Sequence, residues 1–479
     1  MTGAAGTPAV WPLVVVGGGP AGVAAATEAA RAGLRCLLVD EAPALGGQIY
    51  RQPPREFSID AAGRLGRDHR RGGRLLGEFA RVADRVEVRS GTSVLDIVDG
   101  PAVVCASPGG GTQRLAAERV VLATGAYDRP VPFPGWTLPG VLTAGGAQAL
   151  MKTMRVRPGD RALVAGTGPL LLVVVANQLH HAGVRVTAVL EAGRSAFTPA
   201  MLARAWRQWG LLGDGSRYRL GLLRAGIPIR YNHAVFAAHG DGELRSVTYG
   251  PVAASDWRPD RTRQTRVDVD LLVAGFGFVP STELCELAGC RMDYAPRLGG
   301  WVPVRDAMMR TTAAGIFAVG DGAGVAGVLA AVDEGRVAGI TAAEQGGAIT
   351  PEQARRRRRD PLRRLRLMAG VRAALDEISS VRPGLCELAT APTVVCRCEE
   401  VTRAEVRAAV EEGARDLQAV KLLTRLGMGA CQARNCGPSA AVLLSAQTGR
   451  PPQDAGRINP RPPVRPVTLG TLARQRKEA

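Results

Sequence analysis

Over most of the chain, short apolar runs bounded by glycine or proline alternate with longer amphipathic stretches, the pattern of strands feeding crossover helices. Leu13–Val16 is apolar at every position, as a parallel strand covered on both faces would be. It leads into Gly17-Gly18-Gly19-Pro20-Ala21-Gly22, and an alanine-rich helix is expected to follow to about Arg31. Cys36–Val39 reads as the next strand and ends in Asp40. Strand, glycine loop, helix, strand and acidic residue stand in the order that a dinucleotide-binding Rossmann unit requires. In such a unit Gly17 permits the tight turn, Gly19 lets backbone approach a pyrophosphate, and Gly22 lets helix and strand pack closely. Asp40, or Glu41 beside it, is placed to bind ribose hydroxyls.

The rhythm repeats further on. Ala162–Ala165 predicts a strand, Gly166-Thr167-Gly168-Pro169-Leu170-Leu171 its loop, and Val186–Leu190 the following strand, closed by Glu191. Here the third glycine is missing: Leu171 puts bulk where helix and strand should meet, which counts against NAD binding while leaving it open. A nicotinamide nucleotide bound there would be the unphosphorylated form, since Glu191 would hydrogen-bond a ribose and repel a phosphate. His180-His181 reads as a helix end rather than a metal pair, and no Ser/His/Asp grouping suggests nucleophilic catalysis.

Near the C-terminal end the pattern becomes purely helical. Thr402 and Glu405 form a T-x-x-E capping box, so a helix should start just after Cys398 and run to about Gly413. Asp416 can cap a second helix with Leu417, Val420 and Leu423 on one face, ended by Gly427-Met428-Gly429. Pro438 suits the first turn of a third. Among these elements lie Cys396, Cys398, Cys431 and Cys436: C-x-C, a gap of 32 residues, then C-x4-C. Four thiolates complete the coordination of one 2Fe-2S centre. Zinc is the competing reading, although the single residue Arg397 is tight for the C-x2-4-C spacing of zinc sites. All four thiols are expected on loops abutting helix starts, where backbone N–H groups stabilise an anionic centre. The other five cysteines, Cys36, Cys105, Cys285, Cys290 and Cys386, show no comparable grouping and read as small buried thiols.

Composition adds limits. With 479 residues and 46% hydrophobic content the chain has material for about three domains. Its net charge of +18 suggests nucleic acid at first sight, yet lysine occurs only at Lys152, Lys421 and Lys477, so arginine enrichment is general. The one dense cluster, Arg355–Arg359 with Arg363, Arg364 and Arg366, reads as a solvated helix or linker face. Six Trp, six Tyr and eight Phe leave little for base stacking, and no nucleic-acid role is expected. No apolar run is long enough for a transmembrane segment, and the apolar run at Pro12–Gly19 enters a glycine loop rather than a cleavage site. The expected location is cytoplasmic, with any membrane contact peripheral.

Two further segments carry a resemblance. Val120–Gly125 is an apolar strand ending in Ala-Thr-Gly, and Gly315–Asp321 is a strand ending in Gly-Asp. With the first glycine loop they resemble the FAD-binding signature of two-dinucleotide-domain flavoproteins. That resemblance implies that Gly320 and Asp321 hold the ribityl chain, that Thr124 and Gly125 line the site, that Gly47 and Gln48 approach pyrophosphate and flavin, and that Val94 meets the adenine. Disulfide reductases of this fold keep a cysteine pair after the Gly46-Gly47 position; none stands here, so thiol-disulfide exchange is not expected. Cys396–Pro438 is similar to the helical 2Fe-2S domain of the bacterioferritin-associated-ferredoxin type. Leu45–Arg51, Thr124–Gly140, Pro296–Arg305 and Arg457–Gly470 resemble the alpha subunits of heteromeric FAD-dependent amine and amino-acid dehydrogenases, the group of opine oxidase, cyanide synthase and hydroxyproline dehydrogenase.

The implied fold is α/β, a two-dinucleotide-domain flavoprotein. Residues 8–150 and 271–350 would form a Rossmann-like FAD domain, with an NAD(P)-like Rossmann domain inserted at 151–270. An Arg-rich linker (351–390), a small helical 2Fe-2S domain (391–448) and a Pro-rich tail (449–479) would follow, the tail an extended segment that docks along a subunit surface. The implied function is FAD-dependent electron transfer in an amine or amino-acid dehydrogenase of opine, proline, hydroxyproline, glycine or sarcosine type. Its partners would be an FAD-containing beta dehydrogenase subunit, together with a small ferredoxin-like gamma subunit; electrons would leave to a downstream electron acceptor. No catalytic side chain is singled out, because the flavin itself supplies the redox chemistry. A self-sufficient NADH-dependent flavin/2Fe-2S reductase and a non-catalytic nucleotide-binding scaffold are the alternatives.

Overall fold

The computed structural model describes residues 10–51, 66–98, 101–107, 109–168, 170–195 and 209–474. Pro169 of the second glycine loop lies outside them. Two compact units emerge: one from residues up to 126, 280–368 and 460 onward, the other from 127–279 and 369–459.

The first unit is built on a five-stranded parallel sheet in the order Ile316–Ala318, Val120–Leu122, Val14–Val16, Cys36–Val39, Val86–Arg89. Its strands are apolar without interruption because both faces are covered. Val15, Leu38 and Val121 enter one core, while Val14, Val16, Leu37 and Leu122 enter the other. On the first face the helix Pro20–Arg31 crosses the helix Val328–Gln345 at very short range. A Cβ added at Gly335 would run into the Ala21 carbonyl oxygen, and one at Gly339 into that of Ala25. A three-stranded antiparallel meander, Ser93–Val98, Ala102–Ala106 and Thr112–Ala116, flanks the other core. The proline-rich tail packs on this same unit: Val464, buried, donates its N–H to Leu95 O at 2.9 Å, and Arg474 O accepts from Thr112 N at 2.7 Å.

The second unit repeats the parallel design with Ile229–Tyr231, Arg185–Glu191, Arg161–Gly166, Leu271–Gly275 and Val141–Thr143. Again Leu163 and Ala165 face one core and Ala162 and Val164 the other. The helix Leu171–His181 follows the glycine loop and ends at the two histidines, as expected. The small C-terminal subdomain packs three helices, Arg403–Glu411, Leu417–Thr424 and Cys436–Thr448, about a core of Val406, Leu417, Val420, Leu426 and Leu443. The expected capping box is present, with Glu405 Oε2 accepting Thr402 N–H at 2.7 Å, and Asp416 Oδ1 accepts Ala419 N–H at 2.8 Å. Leu423 departs from expectation: it is 52% exposed, because a helix this short buries only Leu417 and Val420.

The Arg-rich stretch is no loose linker but part of a single helix, Pro351–Ser379. Its cluster is only partly solvated. Arg358 pairs with Glu344 at 2.7 Å, and Arg364 grips Asp333 at 2.6 and 2.8 Å, both on the helix Val328–Gln345. Arg355, Arg356, Arg357 and Arg359 face solvent.

Candidate cofactor sites

In the first unit the ends of four strands bring the dinucleotide residues together. Gly17 sits at φ +105°, where a Cβ would strike Ala123 O, and Gly17 N donates to Val39 O at 2.8 Å. Only glycine tolerates that turn. Gly22 packs directly under it, with no space for a side chain before Gly17 O. Gly19 is the N-cap of the helix Pro20–Arg31 and offers no side-chain cap, so the N–H groups of the first turn remain available to an anion. Gly46 N donates to Gly18 O at 2.9 Å, and the Gly47 backbone (φ +59°) stands against Gly19. The Gly17–Gly22 loop and Gly46-Gly47 thus meet backbone to backbone and form one cradle. Gln48 is exposed beside it, and Val94 is buried in the meander.

Across the sheet, Thr124 Oγ1 donates to Ser281 O at 2.6 Å and Ser281 N to Gly125 O at 3.0 Å. Gly322, next to Asp321, faces Thr124 and Gly125 with only 3.1 Å between an added Cβ and Gly125 N. Asp321 Oδ1 accepts the N–H groups of Ala326 (2.9 Å) and Gly327 (3.1 Å), which fixes the Gly-Asp turn. Sequence reading missed the support beneath: Glu334, buried, accepts Gly320 N–H at 2.9 Å and pairs with Arg305 through two bonds. The only sequence signal was the position of Arg305 at the end of the Pro296–Arg305 stretch.

The acidic residues make contacts within the chain. Asp40 turns inward and accepts N–H groups from Gly18 and, at 2.6 Å, from Ala42. Burial pushes its carboxyl above the ordinary value, against those two hydrogen bonds. Its first task is therefore to hold the glycine loop closed. Glu41 is paired with Arg465 of the tail at 3.0 and 3.1 Å.

The second glycine loop is filled from within. Glu191 is 2% exposed; its carboxylate accepts Gly168 N–H at 3.1 Å and Gly193 N–H at 3.0 Å. Burial pushes its pKa up to about 7, opposed by those N–H groups and by Thr167. Thr167 Oγ1 also donates to Ser379 O at 3.2 Å, and an added Cβ on Gly193 would meet Ile378 O at 2.8 Å. A ribose would have to displace these contacts to reach Glu191.

In the small subdomain the structure draws the four expected thiols together in pairs. Cys436 faces Cys396 and Cys398 faces Cys431 as thiol hydrogen-bonding partners, and the charge of Cys396 is felt at Cys431. Among the described residues no group of three or more His, Cys, Asp or Glu is gathered tightly enough for one ion. The Cys396 thiol is brought down to about 5, chiefly by the Cys436 S–H, then by the backbone N–H groups of Gly427, Glu399 and Cys398, with burial opposing. Burial and the Cys398 thiol raise Cys431, and the Cys396 thiol, with burial, raises Cys436. Placement differs in one respect from expectation: Cys396 ends the strand Val394–Cys396 and Cys436 opens a helix, rather than both lying on loops. The wrapping backbone is unusual. Glu400, Arg425, Gln432 and Ala433 all have positive φ, the last two consecutively between Cys431 and Cys436. Gly429 lies so close to Cys398 that an added Cβ would overlap the Cys398 Cβ.

A family model described as pyridine nucleotide-disulphide oxidoreductase matches residues 11–347. The chain belongs to that family and is an FAD-dependent oxidoreductase. Beyond that match, residues 392–476 match the sarcosine oxidase A3 domain. The chain is 38% identical over 471 residues to hydrogen cyanide synthase subunit HcnB of Pseudomonas aeruginosa, covering 97% of this chain and 99% of that protein. It is 35% identical over 471 residues to an opine oxidase subunit from Agrobacterium tumefaciens, covering 96% and 91%. L-proline dehydrogenase from P. horikoshii shares the fold, with TM-score 0.71 at 22% identity over 98% of this chain and 80% of that one. This is a flavin oxidoreductase of the group to which those subunits belong. No helix among the described residues is long and apolar enough to cross a membrane.

Proposed function

We propose that this chain is the electron-handling subunit of a heteromeric amine or amino-acid dehydrogenase, carrying FAD in its first unit and a 2Fe-2S cluster in its small subdomain. The relatives named as subunits of hydrogen cyanide synthase and opine oxidase support the heteromeric reading. The observation that carries it is the gathering of Cys396, Cys398, Cys431 and Cys436 in one small subdomain, wrapped by backbone at positive φ and by Gly429 packed against Cys398. Two thiol pairs, Cys396 with Cys436 and Cys398 with Cys431, match a centre of two irons better than one tetrahedral zinc.

Bound as proposed, FAD and the cluster would supply two-electron and one-electron chemistry, respectively. The chain's own groups do the holding. The helix N-terminus after Gly19 would hold the pyrophosphate, Asp321 and Gly320 would hold the ribityl chain, and Thr124 and Gly125 would line the opposite wall. Glu399, Gly427 and Cys398 present N–H groups to the Cys396 sulfur. With Glu191 turned onto its own loop, electrons enter from the partner flavoprotein rather than from NADH.

The test is anaerobic spectroscopy with iron and zinc analysis of the purified chain, followed by dye-reduction assays with a co-expressed partner flavoprotein subunit on opines, proline, hydroxyproline, glycine and sarcosine. Flavin and two irons per chain, with turnover only in the complex, are expected. Stoichiometric zinc without iron, or fast flavin reduction by NADH, overturns the reading.

A further inference from the structure

Two cysteines outside the proposed cofactor sites stand thiol to thiol. Cys285 lies on the short helix Glu283–Leu287, and Cys290 just beyond it. The helix ends in a Schellman turn: Gly289, at φ +73°, donates its N–H to Glu286 O at 3.0 Å, and Cys290 N donates to Cys285 O at 3.0 Å. That turn sets the third residue from the helix end against the second residue beyond the cap, a contact most helices fill with two apolar side chains. Here both positions are cysteine, and the Cys285 S–H donates to the Cys290 sulfur. Cys290 Sγ also lies 3.3 Å from Thr311 Oγ1 and receives the Ala313 N–H. These contacts draw the Cys290 thiol down while Cys285 is pushed well up, first by donating to Cys290 and then by its burial. Cys290, beside Thr311 and the less buried of the two, is the sulfur placed to act as nucleophile, and Cys285 is its resolving thiol.

We propose that Cys285 and Cys290 form a redox-active dithiol that a small hydroperoxide converts to an intramolecular disulfide. The Cys290 sulfur attacks the O–O bond, becoming a sulfenic acid and releasing water or an alcohol. The Cys285 sulfur then attacks the Cys290 sulfur, forming the S–S bond and expelling water, so that two thiols and one hydroperoxide give one disulfide, one alcohol or water, and one water. A dithiol reductant reverses it by exchange. Cys290 is 6% exposed and Cys285 1%, but Gly289 and Arg291 on either side of Cys290 reach the surface, which suits a small oxidant over a bulky one.

Cys36 and Cys105 are internal controls. Both are buried, and burial pushes them up to about 12 and about 11, respectively, with no thiol partner among the described residues. The experiment treats the intact holoprotein with hydrogen peroxide, blocks free thiols after denaturation, and maps peptides by mass. The expected result is a Cys285–Cys290 linkage at low peroxide, reversed by dithiothreitol, while Cys36 and Cys105 remain fully alkylated. In Cys290→Ser the linkage should vanish, and in Cys285→Ser an over-oxidised Cys290 should accumulate. Wild-type protein whose Cys285 and Cys290 stay as reduced as Cys36 overturns the proposal without recourse to any variant, and so does mixed pairing of Cys290 with another cysteine.

Discussion

Glu334 Oε2 accepts the Gly320 N–H at 2.9 Å while Arg305 grips the same carboxylate at 2.8 and 3.0 Å. The Gly-Asp turn of the proposed FAD site is therefore braced by a buried ion pair contributed from two separate segments. Removing one partner leaves the other charge uncompensated in the interior, a cost of about 3–5 kcal/mol. Glu334→Ala should lower both the flavin recovered per chain and the unfolding midpoint, measured by absorbance and thermal melting. Full flavin occupancy with an unchanged melt would refute the bracing role.

Helix crossing at Gly335 and Gly339 is a second sensitive point. Their backbones rest against Ala21 and Ala25 with no space for a methyl group. Gly339→Ala should destabilise by about 1–3 kcal/mol, as overpacking does, even though alanine is the better helix former. Denaturant melts at fixed flavin concentration measure it, and a stabilised variant would contradict the packing described.

Glu191 makes a prediction about pH. Burial raises its folded-state value from the ordinary 4.5 to about 7, so the folded chain holds the proton more tightly than the unfolded one. Its contribution is complete below about pH 4.5 and is lost as pH rises through about 7, an effect on the order of 2–3 kcal/mol. Stability of wild type should fall across that window more steeply than that of Glu191→Gln, which stays neutral. Parallel urea titrations between pH 5 and 8 compare them. Equal slopes would show that the carboxyl ionises freely in the fold.

At the loops that carry the four thiols, Gly429→Ala places a methyl against Cys398 Cβ. Iron content should fall severalfold while flavin content stays level, because the substitution lies in the other unit from the glycine cradle. Metal analysis paired with flavin absorbance reads both at once. Concerted loss of the two would mean that the chain as a whole misfolds.

Cys431→Ala tests the ligand set itself. Cluster absorbance should disappear and flavin remain, as measured anaerobically on freshly purified protein. An unaltered iron signal would remove Cys431 from the proposed ligands.

Local rules carried the sequence reading wherever cause and effect lie within a few residues. The Thr402–Glu405 box and the Asp416 cap are contacts three positions apart, and both formed. Glycine spacing located the first cradle because φ +105° at Gly17 and the missing Cβ of Gly22 are properties of those residues alone. What escaped depends on residues brought from afar. The Arg305–Glu334 brace spans 29 positions, and Thr167 and Gly193, the neighbours of Glu191, meet backbone from Ser379 and Ile378. Cys285 and Cys290 escaped for another reason. Their spacing equals that of Cys431 and Cys436, but only the Schellman turn, signalled by Gly289, shows that the two side chains meet.

The tail's contacts bear on synthesis. Residues 460 onward complete the same unit that the N-terminal strands begin, through Val464 on Leu95, Arg465 on Glu41 and Arg474 on Thr112. A ribosome delivers Arg474 long after Thr112, so the nascent meander waits with an unpaired amide and an uncovered apolar patch while all of the second unit is made. Such an edge invites pairing with a neighbouring chain. Efficient production of this protein should therefore depend on a holding chaperone or on slow, dilute expression.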